Sequence, residues 1–443
     1  MAYVIDTKRN LDLDGARAAA RETYVTAHPV SRAHFEAAKA VMPGGNTRTV
    51  LHYAPFPFTV VKADGARIFD ADGHDYADFL GEYTAGLYGH NHPLIEAALA
   101  QALKGGLTLG GPNEVEAKLA RVMCERFEAL DRVRFCNSGT EANVFAVGAA
   151  RAFTGRSDIL VVDGAYHGGV LTFRGESPPL NVPYPTHRIV YNDAQAAVDR
   201  IRALGGELAA VLVEPMIGAG GCIPADGAFL RALREASRDT GALLIFDEVM
   251  TSRQTAGGLQ GYHHVTPDLA TFGKYLGGGL TFGAFGGRAD IMDRFDPGRP
   301  DAWAHAGTFN NNILTMTAGY VGLSEIYTPQ AADAFFDRGN AFRESLAAAV
   351  AAIDIPVRIT GLGSMMAFHF AHQAPTAPGG TRNVPPGLYE LIHLDMIERG
   401  QFHARRGMIN LALPTTDAAL DAFRTAFTDT LEVRAPIIRE VVG

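Results

Sequence analysis

Lys274 stands directly after the apolar run Leu269–Phe272 and Gly273, and Gly277-Gly278-Gly279 follows it. A lysine withdrawn from water gives up its proton more readily, and the free amine attacks a carbonyl carbon to form a Schiff base. The same residue could also be a solvated loop lysine. A second apolar run, Leu243–Phe246, ends in Asp247-Glu248-Val249. A carboxylate at the end of a fully apolar strand is costly to bury without a partner. A pyridine nitrogen would suit it, because a carboxylate keeps that nitrogen protonated and the ring an electron sink. Capping the next helix is the other use for such an acid. A third run, Val133–Cys136, leads into Asn137-Ser138-Gly139-Thr140-Glu141-Ala142 and a helical pattern. Free N–H groups, hydroxyls and the helix dipole at such a turn hold a phosphate, although Ser138 or Thr140 could cap the helix with no ligand at all. Each feature is ambiguous alone. Together they point to one site, since ligands of open α/β sheets bind at the carboxyl ends of the strands.

The elements that must position these residues are legible in outline. Apolar runs at Val133–Cys136, Ile159–Val162, Ala209–Val213, Leu243–Phe246, Leu269–Phe272 and Ala284–Gly286 alternate with helical patterns at Glu141–Thr154, Ala194–Leu204 and Gly227–Thr240. That alternation predicts a mainly parallel α/β sheet between about residues 113 and 330. Before it, Ser31–Met42 reads as a helix stopped by Pro43-Gly44-Gly45. Three short strands, Phe58–Lys62, Arg67–Asp70 and Asp75–Phe79, are separated by Asp64-Gly65 and Asp72-Gly73, which favour hairpins. After it, a helical pair near Asn312–Ile326 and Ala331–Ile353 precedes a tail of short strands and two helices.

Composition narrows the class. The 443 residues are 47% hydrophobic and 20% charged, with a formal net charge of −9 spread thinly along the chain. No clustered basic face favours nucleic acid. No apolar run reaches the roughly 20 residues that span a bilayer, and Met1–Asp14 lacks the apolar centre of a signal peptide. Three widely spaced cysteines, Cys124, Cys136 and Cys222, suit reduced thiols better than disulfides or zinc. A cytoplasmic protein without a metal site is expected, with His90, His92 and His167 as structural residues.

With these residues in view, the sequence resembles the class III aminotransferases of fold type I, the family that includes glutamate-1-semialdehyde 2,1-aminomutase. The likeness is carried by Gly89-His90-Asn91-His92-Pro93, Asn137 to Ala142, Tyr166-His167-Gly168, Glu214-Pro215, Asp247-Glu248-Val249, Lys274 and Gly307-Thr308-Phe309. It implies a large pyridoxal-5′-phosphate-binding domain at 113–330 with a seven-stranded, mainly parallel sheet. A small α+β domain would be formed by an N-terminal segment, 1–112, and a C-terminal part, 331–443. The resemblance also implies roles. Lys274 would carry the cofactor as a Schiff base and shuttle the proton, and Asp247 would pair with the pyridine nitrogen. Ser138, Gly139 and Thr140 would bind the phosphate, helped by Thr308 from the second subunit of a homodimer. Tyr166 would stack on one face of the ring and Val249 on the other, and Glu214 would also bind the cofactor.

Within that family the chain looks most like the β-amino-acid, or β-phenylalanine, branch. The matching stretches are Gly44 to Leu51, Tyr53 to Pro57, Glu82 to Gly86 and Gly307 to Asn312. Arginine binds a carboxylate through two parallel hydrogen bonds. On this likeness Arg48 would hold the carboxylate of a β-amino donor such as 3-amino-3-phenylpropanoate. Arg406 would hold that of a 2-oxo acid acceptor, pyruvate or 2-oxoglutarate. The aminomutase has glutamate and alanine before the glycine where this chain has Arg405-Arg406-Gly407, and asparagine where this chain has Ala219. Both differences weigh against an isomerase.

Overall fold

Strands rich in Val, Ile and Leu with no polar alternation need cover on both faces. The computed structural model, which describes residues 12–175, 178–380 and 384–443, places such strands at the centre. The seven-stranded sheet has the order Arg132–Cys136, Gly283–Gly287, Leu269–Gly273, Leu243–Asp247, Leu208–Val213, Asp158–Val162, Thr186–Ile189. Pairing is parallel from Leu269–Gly273 across to Thr186–Ile189, and only Gly283–Gly287 runs against its neighbours. Leu208–Val213, Leu243–Asp247 and Leu269–Gly273 are buried at every position. The fold is therefore α/β with a mostly parallel seven-stranded sheet. Six of its strands stand out as apolar runs in the sequence. The seventh, Thr186–Ile189, does not, because it is an edge strand with one buried residue, Ile189.

The helices Gly139–Thr154, Ala194–Leu204 and Gly227–Thr240 cross between strands. Gly155 and Gly241 end two of them in the left-handed conformation that closes a helix with least strain. The helix expected at Ser31–Met42 runs from Pro29 to Lys39, and a further helix, Leu13–Ala27, precedes it. Its signal lies in Asp12, whose side chain accepts from the Gly15 N–H, and in the i, i+4, i+8 burial of Ala16, Ala20 and Tyr24. The reading of the chain start as free of a signal segment falls largely on residues 1–11, outside the described residues. Among the described residues, no helix is long and apolar enough to cross a membrane.

The two ends of the chain meet. Val60–Asp64, Arg67–Asp70 and Asp75–Asp78 form the expected antiparallel strands, and Gln401–Phe402 adds a fourth, parallel to Asp75–Asp78. Arg17 and Arg21 of the first helix both reach Glu390 on the helix Pro386–Glu398. His28 bonds to the Tyr24 carbonyl through Nδ1 and to the Tyr76 hydroxyl through Nε2. Asp70 accepts from the Tyr76 hydroxyl and bonds the His74 ring, so the cluster cross-braces hairpin and helices. His90 likewise bonds Asp78 at 2.9 Å, a structural use. The strands Val357–Leu362, Met365–Phe370 and Met408–Asn410 make a separate antiparallel sheet. The helix Asp417–Val442 is tied to the helix Pro386–Glu398 through the buried Arg434–Asp395 pair, at 2.7 and 3.0 Å.

Burial carries a pH dependence. His403 and His369 are pushed down to about 4, and His393 well below its ordinary value, by removal from water. These imidazoles are neutral in the folded chain and take up protons near pH 6.5 when it unfolds. Their contribution is complete above about pH 6.5 and is lost as pH falls toward 4. The melting temperature should fall by several degrees between pH 7 and pH 5, and His403→Phe should flatten that slope in a differential scanning fluorimetry series.

Candidate active site

Five parallel strands deliver the site residues from their carboxyl ends. Arg132–Cys136 leads into Ser138, Gly139 and Thr140, and Asp158–Val162 leads to the turn carrying Tyr166 and His167. Leu208–Val213 is followed at once by Glu214. Leu243–Asp247 ends in Asp247, and Leu269–Gly273 is followed by Lys274. All of these, with Val249 and Arg48, line one cavity of about 480 Å³.

The phosphate-type turn is both cap and cradle. Ser138 is the N-cap of the helix Gly139–Thr154, its Oγ accepting from the Glu141 N–H at 3.1 Å. Glu141 in turn accepts from the Asn137 N–H at 2.9 Å. Capping therefore coexists with a lining position, and the helix end still offers N–H groups to an anion. A side chain on Gly139 would stand 2.7 Å from Val249, and one on Gly168 2.4 Å from the Thr140 hydroxyl. Only glycine lets these walls close on a flat ring.

Asp247 is held from three directions. Asn143 Nδ2 donates to Oδ2 at 2.9 Å, and His167 Nδ1 bonds the same oxygen at 2.8 Å. The Val249 N–H donates to Oδ1 at 3.0 Å. Asn143 also donates to the His167 carbonyl and accepts from the Thr271 hydroxyl, so it aims both partners. The neighbouring Glu248 turns away, into bonds with the Leu259 and Gln260 N–H groups and the Thr251 hydroxyl. Strand alternation thus gives one acid to the cavity and one to the scaffold. His167, read as structural, bears directly on Asp247. Asn143 was not singled out, although a buried asparagine between Ala142 and Ala146 was a signal.

Glu214 is buried beside this network. It accepts from the Gly218 N–H at 2.9 Å and the Tyr166 N–H at 3.3 Å, and burial pushes its carboxyl up to about 7. Burial, and after it the charge of Arg48, hold the Lys274 ammonium below the usual lysine range. Lys274 also has a left-handed backbone, φ 55°, a conformation that a side-chain-bearing residue adopts only where its surroundings force it. Tyr166 is 44% exposed, leaving its ring available at the cavity wall. A half-buried lysine with a lowered pKa, an acid held by hydrogen bonds, a helix N-terminus and glycine-thinned walls fit pyridoxal phosphate.

Of the remaining expectations, Arg48 stands in this cavity, and Arg406 and Thr308 fall elsewhere. Arg48 pairs with Glu82, and its guanidinium lies 5.9 Å from the centre of the Tyr83 ring. Arg406 lies 5.0 Å from the same ring but lines a second cavity of about 570 Å³ with Arg174, Arg405 and Tyr389. Arg405 is the exposed member of its pair. Thr308 does not line the cofactor cavity of its own chain. It is exposed, against Leu107 to Pro112.

Asn143→Ala would remove a donor from a buried carboxylate, at a cost of about 1–3 kcal/mol. Cofactor retention, followed by absorbance during dialysis, should weaken roughly tenfold or more, while the far-UV circular dichroism stays unchanged.

Comparisons with known proteins place the chain in a family. The profile of the class III aminotransferase family matches residues 50–399. A β-phenylalanine transaminase of Variovorax paradoxus is 48% identical over 414 residues, which are 94% of this chain and 95% of that one. The crystal structure of the β-phenylalanine aminotransferase from the same organism superposes with a TM-score of 0.93, covering 95% of this chain and 97% of its own. An omega-transaminase of Sphaerobacter thermophilus is 36% identical, with a TM-score of 0.83 and coverage of 91% and 98%. At 24% identity a glutamate-1-semialdehyde aminomutase of Pseudomonas aeruginosa shares the fold, with a TM-score of 0.88 and coverage of 98% and 100%. The chain belongs to the class III aminotransferases, and is a transaminase that works with pyridoxal 5′-phosphate.

Proposed function

We propose that this transaminase moves the amino group of an aryl β-amino acid, such as 3-amino-3-phenylpropanoate, to a 2-oxo acid. The observation that carries the reading is the pair of guanidiniums, Arg48 and Arg406, within 6 Å of one tyrosine ring, Tyr83. Both substrates of such a reaction are carboxylates, and each would need its own cationic partner. Likeness to the Variovorax enzyme supports the donor class.

Bound pyridoxal phosphate supplies the electron sink for the pair left behind when a C–H bond breaks beside the amine. The chain does the rest. Nζ of Lys274, which burial favours in its proton-free form, takes the proton from C3 of the donor, because a β-amino acid bears its amine there. In the return half it delivers a proton to C2 of the amino acid made from the acceptor. Asp247 holds a proton on the ring nitrogen, with Asn143 and His167 fixing the carboxylate. Ser138, Gly139 and Thr140 would hold the phosphate at the helix end, and Tyr166 and Val249 would pack against the ring. Glu214 steadies the Tyr166 turn through its N–H. Arg48 takes the donor carboxylate and Arg406 that of the acceptor, pyruvate or 2-oxoglutarate. The products are a 3-oxo acid and a 2-amino acid.

The reading includes a cytoplasmic homodimer. Leu107, Leu109 and Phe309 are 50%, 48% and 58% exposed around Thr308. A second copy over that face would bury apolar surface and carry Thr308 to the other chain's phosphate turn. Light scattering should return a dimer, and Phe309→Asp should give a monomer that retains cofactor poorly.

The deciding experiment is a donor screen. Racemic 3-amino-3-phenylpropanoate, alanine, glutamate and glutamate-1-semialdehyde are each supplied with and without 2-oxoglutarate. Acceptor-dependent loss of one enantiomer of the β-amino acid is expected, and turnover of the semialdehyde without acceptor would refute the reading in favour of an isomerase. Lys274→Ala should abolish turnover and the absorbance of the lysine-bound cofactor. Arg48→Ala should raise KM for the β-amino donor roughly tenfold to a hundredfold, the loss expected of a charge-assisted pair.

A further inference from the structure

The segment Gly81–Thr84 has no part in the reaction just described, yet its backbone is costly. Gly81 is left-handed, and so are the three side-chain-bearing residues after it, Glu82 (φ 46°), Tyr83 (φ 52°) and Thr84 (φ 82°). Such a run persists only where the surroundings over-determine it. Here they do. Asp78 Oδ1 accepts from the Leu80 and Gly81 N–H groups at 2.8 and 3.0 Å. Asn410 donates to the Leu80 carbonyl at 2.8 Å, and the fully buried Arg253 to the Thr84 carbonyl at 3.0 Å. The Tyr83 hydroxyl donates to the Val50 carbonyl at 3.0 Å.

What this scaffold delivers is the Glu82 carboxylate against Arg48 Nη1, with the Tyr83 ring beside both Arg48 and Arg406. Stability does not explain it. The Arg48 and Glu82 side chains are 44% and 50% exposed, and ion pairs so open to water contribute little. The contact is also one-sided. One oxygen of Glu82 meets one terminal nitrogen of Arg48. A guanidinium presents five N–H donors in a planar fork, so an edge remains for a second carboxylate. Arg48 and Glu82 both line the cavity that contains Lys274.

We infer that Glu82 is a positioning residue for the donor's carboxylate, fixing Arg48 through Nη1 so that the other edge of the guanidinium is presented to the substrate. The inference rests on the assignment of Arg48 to that carboxylate. It also gives the strained segment a purpose. A flexible glutamate on a relaxed loop would follow Arg48 about, whereas one on a locked left-handed turn sets where Arg48 stands.

The test compares the wild-type holoenzyme with Glu82→Gln, which keeps the shape and removes the charge, and with Glu82→Asp. Melting temperature and cofactor absorbance establish that each variant is folded and loaded. For 3-amino-3-phenylpropanoate, Glu82→Gln should raise KM about tenfold, the effect of loosening one charge-assisted contact, with kcat changed by less than about twofold. Inhibition by 3-phenylpropanoate should weaken in parallel. Inhibition by the neutral 3-phenylpropanamide should not change, a distinction that a general disturbance of the pocket would not produce. Glu82→Asp should recover part of the loss, and Glu82→Gln added to Arg48→Ala should cost nothing further. Unchanged KM and inhibition in the glutamine variant, or equal weakening of the acid and the amide, would overturn the inference. If the wild-type enzyme does not consume the β-amino donor, the donor assignment fails separately. The acid and amide inhibitors then still decide whether Glu82 aims Arg48 at a carboxylate.

Discussion

The structure is organised around supplying hydrogen-bond partners to Asp247 at the end of a strand buried at every position. An unpaired carboxylate there would cost of order several kcal/mol or take up a proton. Much of the neighbouring architecture answers that cost. Asn143 comes from the second turn of the helix Gly139–Thr154, and the strand Leu269–Gly273 supplies Thr271 to orient it. His167 comes from the turn after Asp158–Val162. Two segments from elsewhere in the chain thus converge on Oδ2, and a third, the strand carrying Thr271, steadies one of them. Glu214, close by with fewer donors, is pushed up to about 7 instead. Two acids at adjacent strand ends therefore meet different environments: Asp247 has side-chain partners in Asn143 and His167, and Glu214 has backbone N–H groups.

Part of the chain's backbone strain stands at the same sheet edge. Lys274 and Glu82 to Thr84 all hold left-handed backbone without being glycine, and each such residue costs about 1–3 kcal/mol. They lie at the cavity and along its rim, and Asn192, Cys222, His264 and Asp354 hold positive φ elsewhere. Pre-organisation accounts for the four at the cavity. A lysine and a carboxylate clamp that must stay where a reacting atom will be are held by backbone that cannot relax locally. The large buried core anchors the backbone on either side.

The roles of single residues were legible to different degrees. Lys274, Asp247 and Ser138 to Thr140 could be found from apolar runs that stop at a chemically capable residue, because a parallel strand reports its own end. Asn143 could have been found as a lone amide on an apolar helix face. Glu82 and Tyr83 carried no such signal. Their importance lies in a backbone conformation and in the approach of Arg406, more than 300 residues away in sequence, and neither leaves a local pattern. Thr186–Ile189 escaped because an edge strand needs cover over only part of its length, and Gln401–Phe402 because two residues are too few to carry a period.

By itself the sequence determined the sheet, its mainly parallel sense and the chemistry at its carboxyl edge. Those follow from how apolar runs, turns and capping residues succeed one another along the chain. The tertiary structure decided which buried acid would be ringed with donors, which arginine would stand in the cofactor cavity and which in its neighbour, and which carboxylate would hold the first of them. Those depend on charges brought together from distant segments. Their effects on one another are set by distance and burial, and neither is written in the order of the residues.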